Sequence, residues 1–510
     1  MVTAKLFKMM KSISHVIVSA SFVLSLSVPV TTISQAATPI KLSQKAVAER
    51  VMQDSAKVQE TQWSFELGWL EVLKTQSKYD WATSFESGLE SSQLEDFAGR
   101  ANPRDQTYTS LFKIQKPLPT GTLLGFSLQR KSIKSDFAVG ITPTVPDSQT
   151  QDLLGVSLEQ NLWRNFFGEA DRSQVKSAEF NFRSNQITRE DQLQVLVLEG
   201  IRQFWKTYVK QEVFQEALSS RQRYDKLVEV VRRKSRLGYA NPGEVPQLEA
   251  ELEVRNQKVK EASVDYLASL DDLLTLLKLP RGSEIQFEIP EELPPSPPAL
   301  TETEIEKLLP NLRVIKASDL KLEALSLAIT QSESLKYPDL SLIGNWYTGG
   351  LDQSSSEATS EMLASTHPKY YVGLRFQATW GSGSTTEEIR NRRLQRQIEE
   401  SKRTRSINEL RDQITNSYRK VQATKAIVTS IRKQTELREK AANELQRSYQ
   451  QGRTDISIVI DSLNKFFASQ VSYSQANGDF QTALNEYAAL RDELVVSPQM
   501  KSARSNERGQ

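Results

Sequence analysis

Cysteine is absent from the 510-residue sequence and histidine occurs twice. The lack of cysteine excludes a lipidated N-terminal residue, disulfide staples, thiolate metal sites and a thiol nucleophile together. His15 falls in the N-terminal leader described below, so His367 is the one imidazole of the remaining chain. No glycine-rich phosphate loop with its lysine is present. Catalytic residues, a metal site and a cofactor are therefore not expected. Excess charge of one sign is missing too. Lys and Arg number 65 and Asp and Glu 63, a formal net charge of +2, which gives no reason to expect a nucleic-acid partner. Long apolar runs are lacking as well: beyond Ala37 nothing approaches the roughly 20 apolar residues of a spanning helix. If the chain enters a bilayer it does so as strands of a closed barrel, the other structure that satisfies its own backbone in lipid.

What is present begins with a leader. Lys5, Lys8 and Lys11 precede an apolar run from Val16 to Val30 and the small-residue site Ser34-Gln35-Ala36. That order predicts a secretory signal peptide over 1–36. The run is too short for a membrane anchor and is interrupted by Ser19, Ser21, Ser25 and Pro29.

The remaining chain alternates between two periodicities. Trp63, Leu67 and Leu70 step by four and three in a helix from about Leu42 to Lys74. The period then becomes two over 81–90, where Trp81, Thr83, Phe85 and Leu89 oppose Ala82, Ser84, Glu86 and Glu90. A hairpin is predicted over 108–130, turning at Pro117 to Gly121, and another strand over 152–160. After Gly168 the pattern is helical to about Leu279, broken only near 238–243, where Pro242 and Gly243 can end one helix and admit the next. A proline-rich connector at 290–300 follows. The series then repeats over 301–496: helix, strands at 339–347 and 370–379, and a helical hairpin with its tip near 452–455. A polar tail occupies 497–510. The first unit, 37–289, differs by the extra 108–130 hairpin.

A constant shift of 214 carries Gly238 to Gly452, Val245 to Val459, Tyr266 to Phe480, Leu270 to Leu484 and Leu276 to Leu490, as expected of a duplication. The two strands common to each unit make four, whereas closed membrane barrels need eight or more. Several chains must then pool strands, and the same rotation would pool their long helical hairpins into a ring of coiled coils.

Lys336-Tyr337-Pro338-Asp339-Leu340-Ser341-Leu342, Val372-Gly373-Leu374-Arg375-Phe376, Tyr449-Gln450-Gln451-Gly452-Arg453-Thr454 and Arg236-Leu237-Gly238-Tyr239-Ala240 stand in the order of known helix-to-strand, returning-strand and hairpin-tip motifs. Over essentially its whole mature length the chain resembles the outer-membrane efflux proteins typified by TolC. The resemblance implies a mostly α protein with membrane β structure: a homotrimer with four main strands per chain in a 12-stranded outer-membrane barrel, above a periplasmic α-barrel. It also implies the outer membrane of a Gram-negative bacterium, a passive export duct of a tripartite efflux or type I secretion system, a periplasmic membrane-fusion adaptor and an inner-membrane RND or ABC transporter as partners. A periplasmic coiled-coil adaptor is the alternative reading. Whether the extra hairpin lengthens the barrel or forms an outer loop stays open.

The resemblance also marks site residues. Asp461 stands where the family places a pore-facing acid, while Ile458 occupies its usual companion position; an ordinary exposed helix carboxylate is the plainer reading. Thr454, Arg453 and Asp455 stand where the closed tip is held together, although a helix cap explains Thr454 or Asp455 equally well. Leu237, Gly238, Tyr239 and Gly452 mark tips for adaptor docking, and turn geometry alone would also account for the glycines. Arg232, Arg233, Lys234 and Arg236 read as a solvated helix face. Trp81, Trp163, Trp346 and Trp380 suit an interfacial aromatic girdle, and burial at the equator would serve equally well for Trp163 or Trp380.

Overall fold

The computed structural model describes residues 39–494 apart from 93–103, 137–147, 291, 379 and 382. The expected leader over 1–36 and tail over 497–510 lie outside the described residues. In chain order the elements are β1 (Ile40–Ser43), α1 (Gln44–Asp54), α2 (Ala56–Gln76), β2 (Ala82–Ser92), β3 (Arg104–Pro117), β4 (Thr122–Asp136), β5 (Ser148–Asn161), α3 (Glu169–Arg236), α4 (Glu244–Leu276), β6 (Ile285–Glu288), α5 (Glu302–Leu308), α6 (Arg313–Ser334), β7 (Asp339–Asp352), α7 (Ser355–Ala364), β8 (His367–Gln377), α8 (Gly383–Gln450) and α9 (Ile456–Leu490).

The 214-residue offset recurs in the long helices. α3 and α8 each run 68 residues, and their ends differ by the same 214 positions. At ~1.5 Å per residue each is a rod of about 100 Å. Near the sheet the helices pack in the order α2, α3, α6, α8; toward the tips α4 folds back on α3, α9 folds back on α8, and α3 meets α9. A rod this long cannot bury its stripe alone, and three apolar clusters fill the seams in turn. Midway along α3, Phe204, Trp205, Leu273 and Leu274 close over α1 and β6; near the tips Tyr224, Leu227 and Leu248 meet Val459, Leu463 and Phe466; Ile315, Ile414, Val421 and Phe480 join α6, α8 and α9. Each such fully buried side chain contributes ~1.5–3 kcal/mol.

Three elements escaped the periodicity. β1 and β6 form a small parallel pair, Ile40 opposite Ile285, at four residues each too short to show alternation. α7 lies across β7 and β5 at the end of the strands remote from the long helices, with Ala358 and Met362 buried. The predicted first helix is also divided, because Ser55 is extended between α1 and α2.

The six-stranded sheet has the order β2-β3-β4-β5-β7-β8, antiparallel throughout. The four strands expected from the two units are there, and the extra hairpin lies between the first and second of them. It neither lengthens its neighbours nor stands outside them. β3 pairs with β2 from Ala82 opposite Gln115 to Ser92 opposite Asp105, and β4 pairs with β5 from Thr122 opposite Gln160 to Lys134 opposite Ser148. The physical reason is parity. Phe112, Ile114, Leu124, Phe126 and Leu128 alternate in step with Phe85, Leu154, Val156 and Leu158, so the inserted pair continues the faces of the strands it separates.

Candidate functional site

The sheet has two unlike faces. One carries cross-strand rows such as Phe85–Phe112–Leu128–Leu154, Ile114–Phe126–Val156–Trp346–Tyr370 and Leu342–Leu374. Phe85, Phe126, Val156, Tyr370, Val372, Leu374 and Phe376 on this face are exposed. The other presents Ser84, Glu86, Glu90, Lys113, Gln129, Gln151, Ser157, Glu159, Asn345, Lys369 and Arg375. In water an apolar band this wide is a liability; facing lipid, with the polar face toward a lumen, it is the pattern of a membrane barrel. At its remote end the band closes on polar groups: Asp152 accepts from Arg130 Nε at 2.8 Å, Arg130 Nη2 at 2.7 Å and Thr359 Oγ1 at 2.7 Å.

At the near end Trp81 is exposed beneath Lys116, whose ammonium lies 5.2 Å from the ring centroid. Trp163 stacks on Tyr337 at 6.3 Å where strands give way to helices. Trp380 is exposed beyond β8, and Trp346 sits within the apolar face. No helix among the described residues is long and apolar enough to cross a membrane.

The outgoing helices of the two hairpins end alike, bond for bond. Gly238 donates to Ser235 O at 3.0 Å and Tyr239 to Lys234 O at 2.9 Å; 214 positions on, Gly452 donates to Tyr449 O at 3.0 Å and Arg453 to Ser448 O at 2.9 Å. Gly238 and Gly452 have φ of 76° and 75°, the left-handed conformation that lets the chain leave a helix while satisfying its last carbonyls. Leu237 and Tyr239 are exposed at the first tip. Thr454, half-buried, and Arg453, exposed, lie in the second turn. Asp455 is the N-cap of α9 and accepts from Ser457 N at 2.8 Å, a bond that holds its carboxyl below the usual range. Asp461 is exposed one turn into α9 and accepts from Lys465 Nζ at 2.7 Å, so within one chain its charge is countered by its own helix.

The bonds that join the two hairpins at their tips come from residues to which sequence reasoning gave no such role, and Lys234, expected on a solvated face, is half-buried against Tyr449. Tyr449 Oη donates to Glu244 Oε2 at 2.8 Å, and Glu244, buried, accepts at Oε1 from Asn241 Nδ2 at 2.9 Å. Lys234 Nζ donates to Tyr449 O at 2.5 Å and lies 4.1 Å from the Tyr449 ring centroid. Burial, then the bond to Glu244 and its charge, push the Tyr449 phenol well above its ordinary range, so it stays protonated and donating. A glutamate in the first turn of a helix is so ordinary that only the fold singles Glu244 out. Among the described residues no group of His, Cys, Asp or Glu side chains could hold a metal ion.

No protein-family model matches this sequence, and no curated protein matches it. Solved structures do. CusC, described with its folding and transmembrane channel formation, superposes with a TM-score of 0.64 at 13% identity over 89% of this chain and 92% of that one. The outer membrane protein VceC of Vibrio cholerae gives 0.62 at 12% identity, covering 88% and 95%, and the CmeC outer membrane channel of Campylobacter jejuni 0.63 at 10%, covering 91% and 88%. At so low an identity the match is one of architecture, and it covers most of this chain: the chain has the TolC-like fold of the outer-membrane channels.

Proposed function

We propose that the chain is one subunit of a passive, gated export duct, working as a homotrimer in the outer membrane of a Gram-negative bacterium with its helices reaching through the periplasm. The observation that carries this reading is the six-stranded sheet with an exposed apolar face, mounted on rods of about 100 Å. Such a sheet has too few strands to close alone and too greasy a face to stay in water. A periplasmic adaptor would bind without conducting and would have no use for the apolar band. Outer-membrane channels of the same fold support the same reading.

The tips form the gate in this proposal. Tyr449–Glu244 ties the hairpins of one copy together, Arg453, Thr454 and Asp455 line the adjoining turn, and Asp461 of each copy faces the axis. The exposed Leu237, Gly238, Tyr239 and Gly452 would receive a periplasmic membrane-fusion adaptor, which couples the duct to an inner-membrane RND or ABC transporter as its source of energy. The test is conductance of the detergent-purified protein in a planar bilayer. The wild type should conduct weakly, and Tyr449→Phe, which removes the only donated proton of that bond, should raise conductance several-fold. A protein that fractionates with outer membranes yet never conducts, with or without the substitution, would sink the duct. Reversal potentials under a salt gradient test Asp461: an Asp461→Ala variant of unchanged selectivity would remove it from the pore.

A further inference from the structure

The two edges of the sheet, β2 and β8, are complementary to each other. Because the sheet is antiparallel with an even number of strands, its edges run in opposite directions, so β8 of one copy meets β2 of another antiparallel at any closing rotation. Both strands are 11 residues long, and almost every residue of each is exposed. Laid flush, with Ala82 opposite Gln377, the faces match: Phe85 falls opposite Leu374 and Leu89 opposite Tyr370 on the apolar side, while Glu90 falls opposite Lys369 and Glu86 diagonal to Arg375 on the polar side. Opposite charges and apolar pairs so placed favour the pairing.

The helices continue the same seam. α2 leads into β2 and bares Trp63, Leu67 and Leu70 on one stripe; α8 leaves β8 and bares Leu394 and Ile398 at a similar distance from the sheet. These are the outer members of the packed order α2, α3, α6, α8, as β2 and β8 are of the sheet. One rigid copy thus presents two matching borders, strand and helix together.

We propose that each copy enters the ring through these borders with all six strands in the wall, and, resting on the homotrimer proposed above, that the assembled barrel has eighteen strands. The 104–136 hairpin is then a widening device. Barrel diameter grows roughly linearly with strand number, so the bore is about one and a half times that of a twelve-stranded barrel, and roughly twice its cross-section. The hairpin cannot leave the wall without cost, because it would give up the two ladders that pair it to β2 and to β5 along nearly their whole length. The duct would accordingly suit bulky or partly folded cargo at its outer mouth.

The natural absence of cysteine makes the test direct. Lys369→Cys is combined in the full-length protein with Glu90→Cys, and separately with Gly88→Cys and Ser92→Cys to cover the neighbouring registers that keep like faces together. On oxidation in isolated membranes, one pair, expected to be Glu90→Cys with Lys369→Cys, should give a covalent ladder ending at three copies and collapsing under reductant. End-on electron cryo-microscopy of the detergent-purified wild type should count eighteen strands. No ladder from any of the three pairs, or twelve strands with the hairpin outside the wall, overturns the proposal. A ladder that ends at two copies upholds the edge pairing and rejects the homotrimer instead, and with it the count of eighteen.

Discussion

At the residue scale, polar side chains set the character of the helical part. Tyr449 and Glu244 lie on different hairpins 205 positions apart, and the bond between them is buried. Removing the hydroxyl leaves a buried carboxylate with one partner fewer, a cost of about 1–3 kcal/mol that the gate would otherwise have to supply on opening. Farther from the tips, on α3, burial, then repulsion from Glu212, raise the Glu216 carboxyl above its ordinary range, against the pull of Arg223. A carboxyl held above its unfolded value costs stability while it is ionised, and that cost fades as the pH falls through the folded value. Glu216→Gln should therefore raise the thermal midpoint of the purified protein by a few degrees at pH 7–8 and lose its advantage toward acid. Calorimetry across that pH range checks it; an advantage that grows toward acid would contradict the sign.

At the element scale, the junction between sheet and rods rests on two glycines in close approach. Gly168, the N-cap of α3, has φ of 76°, and a Cβ there would stand 2.0 Å from Pro119 O in the β3–β4 turn; one at Gly121 would stand 2.7 Å from Gly168 N. Asn165 completes the start of α3 by accepting from Ala170 N at 3.1 Å and Asp171 N at 3.3 Å. The turn of the extra hairpin is thereby seated on the head of α3, with Arg172 Nη1 donating to Pro119 O at 2.9 Å. Gly168→Ala should cost about 2–4 kcal/mol through the combined clash and strain. Gly238→Ala has the same sign of φ with nothing within 4 Å and should cost only ~1 kcal/mol. Yields of the heat-resistant assembled form compare the two; equal yields would mean that the close approach does not matter.

At the scale of the whole molecule, the inserted hairpin adds width without changing the direction of any other strand. β2 and β5 run antiparallel to one another, so excision of 97–142 leaves edges that can pair directly. The shortened protein should still insert and assemble, with a narrower bore. Graded maleimide-polymers applied from outside to a cysteine at Ser157, on the polar face, measure this. Their size limit should fall by about one third in diameter on excision. An unchanged limit would place the hairpin outside the wall.

The sequence by itself determined the periods, and periods are local. Alternation placed β2, β5, β7 and β8, the four-and-three spacing placed the rods, and Gly238 and Gly452 marked their turns, because side-chain direction repeats along a strand or helix whatever surrounds it. The 214-residue shift was legible for the same reason. Which strand lies beside which is not local. Pairing depends on register between distant segments, so the place of the extra hairpin within the sheet, between β2 and β5, shows only where Phe112 and Phe126 come into row with Phe85 and Val156. The tips divide the same way: a glycine announces its turn in the sequence, whereas Glu244 and Tyr449 acquire significance only because packing of α3 on α9 brings two hairpins to one place and removes the water between them.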